Sequence, residues 1–332
     1  MKRLLSLLMA SALILVILTG CAGSNDFSDG ESAVELSFTS GAMTQDSQNG
    51  YAMGIFADKV EEYSNGSITV NLFYDTQLGD AASQVQSVKQ GTLDMVVAGI
   101  SYFSTYAPEI EALQLPFMFS GYDEAHAAVD GEAGDYVKEQ FNGTGLKILG
   151  IWDIGFRQLT NSVRPVESMA DVAGLKLRTL PSTYQVAAWE SFGALPTAID
   201  YSELYQSLQT GLVVGQENPI SEIVSQKFYE LQPYMSMTYH CYTPSPVAIS
   251  ETTWNELTAE QQEAVEKAMA DATAACREKL TEIEEEGLTT MEESGVQIVM
   301  EPDLSGFQEK TPETWELFTA DCGDTLVNML SE

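Results

Sequence analysis

Apolar and polar residues alternate through Val34-Glu35-Leu36-Ser37-Phe38, the period of a half-buried strand. The spacing then changes. Ala52, Ile55, Phe56, Val60 and Tyr63 recur at helical intervals until Ser64-Asn65-Gly66-Ser67 ends the pattern. Ile68, Val70 and Leu72 alternate again, and Gln77-Leu78-Gly79-Asp80 turns the chain into a second helix that ends near Gly91. The short apolar run from Leu93 to Ala98 reads as a buried parallel strand. Strand, helix, strand, helix, strand is the doubly wound α/β order with right-handed crossovers. After a Pro-containing stretch the pattern predicts strands at Leu146–Ile151, Leu175–Arg178 and Leu212–Val214. Helices over about 183–192 and 202–210 separate the last two, with turns at Gly193-Ala194-Leu195-Pro196 and Gly211. The expectation is two α/β lobes, with the chain passing between them near Trp152.

A long helix follows. Thr258 and Gln261 have the spacing of a capping box. Val265, Met269, Ala272, Cys276, Leu280 and Ile283 then step by three or four along one face for about five turns. The run Glu282, Glu284, Glu285, Glu286 reads as the solvated side of that helix.

The first 21 residues are patterned differently. Lys2 and Arg3 precede an apolar run from Leu4 to Leu18, interrupted only by Ser6 and Ser11. A bilayer-spanning helix needs about 20 apolar residues, so this run reads as a secretory signal. Leu18-Thr19-Gly20-Cys21 resembles the bacterial lipoprotein box. That resemblance implies removal of residues 1–20 and lipidation of Cys21. Residues 21–32, rich in Gly, Ser, Asn and Asp, form a flexible tether. The chain is therefore expected outside the cytoplasm, held at the cell membrane by its lipid.

Charge narrows the function. The 332 residues carry 49 Asp and Glu against 15 Lys and Arg, a formal charge of −34, at a mean hydropathy of −0.07. Losing Lys2 and Arg3 with the signal takes the mature chain to −36. Nucleic-acid binding needs clustered cations and is excluded, as is a polybasic membrane surface. Past Cys21 three cysteines remain, Cys241, Cys276 and Cys322. An odd count leaves at least one free thiol; a Cys276–Cys322 bridge stays open. Within this acidic body Arg157, Arg164, Lys176 and Arg178 fall inside 22 residues. Guanidinium offers a planar donor fork that fits a carboxylate. Arg178 also ends a strand, where open α/β sheets bind ligands. Spacing alone leaves two readings, an anion site or ion pairs with neighbouring acids.

The order of short motifs goes further. Gly155-Phe156-Arg157-Gln158-Leu159-Thr160-Asn161-Ser162 precedes Arg164-Pro165 and Gly174-Leu175-Lys176-Leu177-Arg178. Tyr201-Ser202-Glu203, Leu208-Gln209-Thr210-Gly211 and Gly215-Gln216-Glu217-Asn218-Pro219 follow. Upstream are Gln77-Leu78-Gly79 and Gly91-Thr92-Leu93-Asp94; downstream, Phe228-Tyr229-Glu230, Thr238 and His240. Across nearly all of residues 34–300 the series resembles the solute receptors of tripartite ATP-independent periplasmic (TRAP) transporters.

The resemblance implies an α/β, two-lobe periplasmic-binding-protein-like fold with a hinge and a long helix spanning both lobes. Residues 33–153 with 243–282 would form lobe I, and 154–242 with 283–332 lobe II. It implies a monomer without cofactor or metal that captures a small organic acid and delivers it to the membrane subunits of an ion-gradient-driven permease. Arg178 matches the carboxylate clamp, Arg157 a second arginine, Asn218 an amide contact and Tyr201 an aromatic wall. Asp80 and Gly99 fall where some members make polar contacts. Gly99 departs from relatives with an acid there, which puts sialic-acid-type specificity in doubt.

Two other classes remain as alternatives. A secreted lipoprotein hydrolase could work through paired carboxylates, although no G-x-S-x-G, S-x-x-K or HExxH motif is present and His126 and His240 stand far apart. A ligand-binding sensor subunit would share the fold.

Overall fold

A computed structural model describes residues 33–41 and 43–331. The signal, Cys21 and the tether lie outside the described residues. Strands and helices alternate at the start: β1 (Val34–Thr39), α1 (Gln48–Tyr63), β2 (Ile68–Phe73), α2 (Ala81–Lys89), β3 (Met95–Val97). After α3 (Tyr122–Asp130) and α4 (Glu132–Glu139) comes β4 (Leu146–Asn161), sixteen residues long. Next are β5 (Lys176–Thr179), α5 (Thr183–Ser191), β6 (Leu195–Ala198), α6 (Tyr201–Thr210), β7 (Gly215–Pro219), α7 (Ile220–Ser225) and β8 (Tyr234–Ser236). The chain returns through β9 (Tyr242–Ser250) and α8 (Glu251–Glu256). It ends with α9 (Ala259–Glu293), β10 (Gln297–Val299), α10 (Ser305–Cys322) and α11 (Thr325–Ser331).

One strand ties two sheets together. In the first the order is β2-β1-β3-β9-β4, parallel between β2, β1 and β3 and antiparallel where β9 meets β3 and β4. In the second, the far end of β4 pairs with β7, which continues to β5 and β6, while β8 and β10 extend its other side. β4 pairs with β9 from Leu146 to Phe156 and with β7 from Arg157 to Asn161, so the handover falls between two adjacent residues. Just before it, at Asp153/Gly155, the β4–β9 register slips. Gly155 has φ +125°, and a Cβ there would stand 2.8 Å from the Tyr122 hydroxyl, so only glycine fits this bulge.

Each sheet is covered on both faces. Leu36, Phe38, Phe56 and Trp152 pack with Val265, Met269, Ala272 and Cys276 of α9. On the opposite face Val85, Phe103, Leu113 and Phe141 pack with Ile148 and Ala248. The second sheet has Leu204, Ile220, Ile223, Phe228 and Met235 on one face and Leu159, Leu177, Trp189, Phe192 and Phe307 on the other. α9 is 35 residues long, about 52 Å at 1.5 Å per residue, and reaches both sheets, since Met291 near its end belongs to a second-sheet cluster. Its Thr258–Gln261 capping box forms as expected. Leu326, Val327 and Leu330 of α11 pack back onto the first-sheet cluster.

The pattern-based elements hold with three exceptions. The strand expected at Leu212–Val214 begins at Gly215 instead. The Leu195-Pro196 turn opens β6, an edge strand where Pro needs no ladder hydrogen bond. The strand expected at Leu146–Ile151 continues ten residues further. All three cysteines are free thiols, so no Cys276–Cys322 bridge forms. Cys276 is buried beside Asn49, while Cys322 lies 3.1 Å from the Tyr184 hydroxyl.

Candidate functional site

Arg157 on β4 and Arg178 on β5 flank β7 from its two sides, both fully buried. Their surroundings differ. Arg157 donates through Nε and Nη2 to the Glu217 carboxylate and through Nη2 to the Glu217 carbonyl. It also reaches Asn218 Oδ1 at 3.0 Å and Thr243 Oγ1 at 3.3 Å. His240 Nε2 lies 3.2 Å from the same carboxylate. Burial alone would raise the Glu217 pKa, but the Arg157 charge and the His240 contact more than offset it and hold it at about 2. This is a closed ion pair.

Arg178 donates from Nε to the Ile199 carbonyl at 2.9 Å. Its Nη1 and Nη2 have no hydrogen-bond partner. Its guanidinium carbon stands 5.9 Å from the centroid of the Tyr201 ring, within cation–π range. Burial, and then the Arg157 charge, push its pKa down. A buried cation with two bare donors is an incomplete pair, and an anion would complete it.

A cavity of about 50 Å³ lies between the two sheets. Gly99, Arg157, Tyr201 and Asn218 line it, so four of the six ligand contacts expected from the sequence come together. Arg178 is not on the wall itself; it stands against Tyr201, which is. Asp80 is not brought to the cavity. It is exposed and caps α2, accepting from Ser83 N at 2.8 Å, and that bond lowers its pKa; the next residue, Ala81, lines the wall.

Local structure explains these positions. Asp200 caps α6 by accepting from Ser202 N at 3.0 Å, which sets Tyr201 at the first helical position. Asn218 is the last residue but one of β7, its Oδ1 fixed by Arg157 and its Nδ2 by Gln216. From the first sheet's side Tyr102, on the cavity wall, donates to Asp200 at 3.3 Å. Burial, with the nearby Asp200 charge, pushes Tyr102 up to about 12. The sequence reading did not single out Tyr102, Ser101, Thr243 or Glu222, all of which line the cavity.

Among the described residues no group of three His, Cys, Asp or Glu could hold a metal ion. His126 stands 3.2 Å from the buried Asp153 carboxylate. His240 is engaged at both ring nitrogens, with Thr238 and Glu217, and burial lowers its pKa. No described helix is long and apolar enough to cross a membrane.

The sequence and the fold both have known relatives. Residues 39–321 match the family described as bacterial extracellular solute-binding protein, family 7. The 2,3-diketo-L-gulonate-binding periplasmic protein YiaO of Escherichia coli is 35% identical over 254 residues, 76% of this chain and 77% of that protein. The C4-dicarboxylate-binding periplasmic protein DctP of Rhodobacter capsulatus is 30% identical over 75% of each. A TRAP periplasmic solute-binding protein from Polaromonas sp. JS666, solved bound to D-erythronate, superposes with a TM-score of 0.86 at 30% identity, covering 90% of this chain and 98% of that one. The chain therefore belongs to family 7 of the bacterial extracellular solute-binding proteins, the extracytoplasmic solute receptors of TRAP transporters.

Proposed function

We propose that this receptor holds its ligand by a carboxylate paired with Arg178, and that Tyr201, Asn218 and Gly99 shape the rest of the site. One observation carries the reading: a fully buried arginine with both terminal nitrogens unpartnered, beside a cavity between two lobes. Relatives whose names record a carboxylic-acid ligand support it. Arg157 acts as a strut, because its donors are already spent on Glu217 and Asn218.

Residues 33–153 with 243–282 form one lobe and 154–242 with 283–332 the other, except that α11 packs back onto the first. The lobes rotate about β4, β9 and α9, and opening brings the Arg178 nitrogens, which stand beside the Tyr201 ring, to the entering acid. Signal removal and lipidation at Cys21 anchor the monomeric receptor to the membrane, where it delivers the acid to the permease's integral subunits without catalysis.

A thermal-shift screen of organic acids tests the reading. An acid at 100 times its dissociation constant adds about 2.7 kcal/mol, and Arg178→Ala removes the shift. No shift with any carboxylate refutes the reading. Intact-mass measurement on protein from membranes tests the anchor: a diacylglyceryl cysteine at residue 21 is expected, and an unmodified chain beginning elsewhere refutes it.

A further inference from the structure

Glu222 lies in the first turn of α7, 4% exposed, on the cavity wall. Its two oxygens are treated differently. Oε2 accepts a hydrogen bond from the Tyr201 hydroxyl, and Oε1 has no partner. The carboxyl is held in place from behind. α7 crosses α9 at Gly287, where a Cβ would stand 2.7 Å from Ile220 Cγ2 and 3.1 Å from Val224 Cγ2. The glycine lets α7 sit close, and the Tyr201 bond fixes the carboxyl's orientation.

Tyr201 therefore carries two unmet needs of opposite kind. Against its ring stands a guanidinium short of acceptors; at its hydroxyl stands a carboxyl with an oxygen short of a donor. A ligand that meets both has a carboxylate at one end and a hydrogen-bond donor further along. A second carboxylate beside Glu222 meets neither need, because two adjoining carboxyl groups cannot both ionise cheaply. An ammonium at that end would be stripped of its water in a buried site with one free oxygen to receive it, so a neutral donor is favoured.

We propose that Glu222 is a specificity-determining residue: its free oxygen accepts a hydrogen bond from a hydroxyl of the bound acid, so the site takes hydroxylated monocarboxylates and rejects acids carrying a second carboxylate at that end. This rests on Arg178 holding the first carboxylate. Discrimination by an unpaired buried group is strong, since the wrong ligand leaves that group unsatisfied or repelled.

Length-matched probes test it by calorimetry on the purified protein: D-erythronate against succinate, D-galactonate against galactarate, and 4-aminobutanoate for the ammonium. In whichever pair binds, the monocarboxylate should be at least tenfold tighter, and 4-aminobutanoate weaker than erythronate. Glu222→Gln should narrow the ratio to within about threefold while the variant still binds acids. The wild-type ratio is read without any variant, so it decides even if Glu222→Gln folds poorly. A dicarboxylate or 4-aminobutanoate that binds as tightly as its hydroxylated partner overturns the Glu222 assignment alone. So does a ratio unchanged by Glu222→Gln. Failure of every acid to bind the wild type overturns the Arg178 reading and this one with it.

Discussion

Arg157 and Arg178 are the same residue, equally buried, on two strands that flank a third. Only their partners differ. Arg157 is matched by a carboxylate, a carbonyl, an amide and a hydroxyl; Arg178 has one carbonyl and two bare nitrogens. Burial does not separate a structural cation from a binding one, but the count of unmet donors does. A matched pair holds the fold and is costly to break from one side. An unmatched cation costs the empty protein stability and returns it when an anion arrives.

The comparison breaks most sharply at Arg157. Arg157→Met leaves Glu217 charged, buried and short of its main partner, so unfolding in denaturant should show a loss of about 3–5 kcal/mol. A loss below about 1 kcal/mol would mean the pair is not the strut described. The Glu217 side of the pair predicts a pH effect. Its pKa is depressed from the ordinary 4.5 to about 2 in the folded chain. Its stabilisation, on the order of 3 kcal/mol, is present above pH 4.5 and lost as pH falls towards 2. Glu217→Gln should flatten the stability profile across that window.

Glu284 makes the opposite case. It stands in the run read as a solvated face, and Glu282, Glu285 and Glu286 are indeed exposed. Glu284 turns inward to accept from the Tyr122 hydroxyl at 2.7 Å, beside the Gly155 bulge. Burial, together with the Asp153 charge, raises its pKa to about 7. The folded state holds this proton more tightly than the unfolded one, so stability falls as pH rises from 4.5 to 7. Glu284→Gln should remove that slope and raise stability at pH 8 by on the order of 2 kcal/mol, measured by urea unfolding. An unchanged profile would show that Glu284 is solvated. The smallest effect belongs to Asp80: Asp80→Ala loses a helix cap, about 1 kcal/mol, and leaves the acid affinity unchanged. A tenfold weaker affinity would return Asp80 to the site.

The sequence showed the alternating β1-to-β3 segment, the capped face of α9 and the cluster of arginines, because each is a local pattern. It hid what depends on distant partners. β9 carries Pro244 and Pro246, which argue against a central strand. They are tolerated because β3 pairs only with Val247–Ile249, leaving the proline end without a neighbour on that side. β4 looked short because Gly150, Asp153 and Gly155 interrupt its apolar run, and those are the residues of its irregular pairing and lobe crossing. Arg157 and Arg178 were indistinguishable from spacing, since Glu217 is sixty positions from one and pairs with it only through β-sheet register. Glu222 was one acid among 49, and its unpaired oxygen is visible only once α7 is packed.

The most direct test sets the two arginines side by side. Arg178→Met and Arg157→Met are titrated by calorimetry with the acid that binds the wild type most tightly, and each is unfolded in denaturant. Arg178→Met should keep the wild-type midpoint or exceed it while affinity falls about 10²-fold or more, because the acid loses its charged partner. Arg157→Met should lose stability first. Arg178→Met that folds and binds the acid as the wild type does would contradict the account.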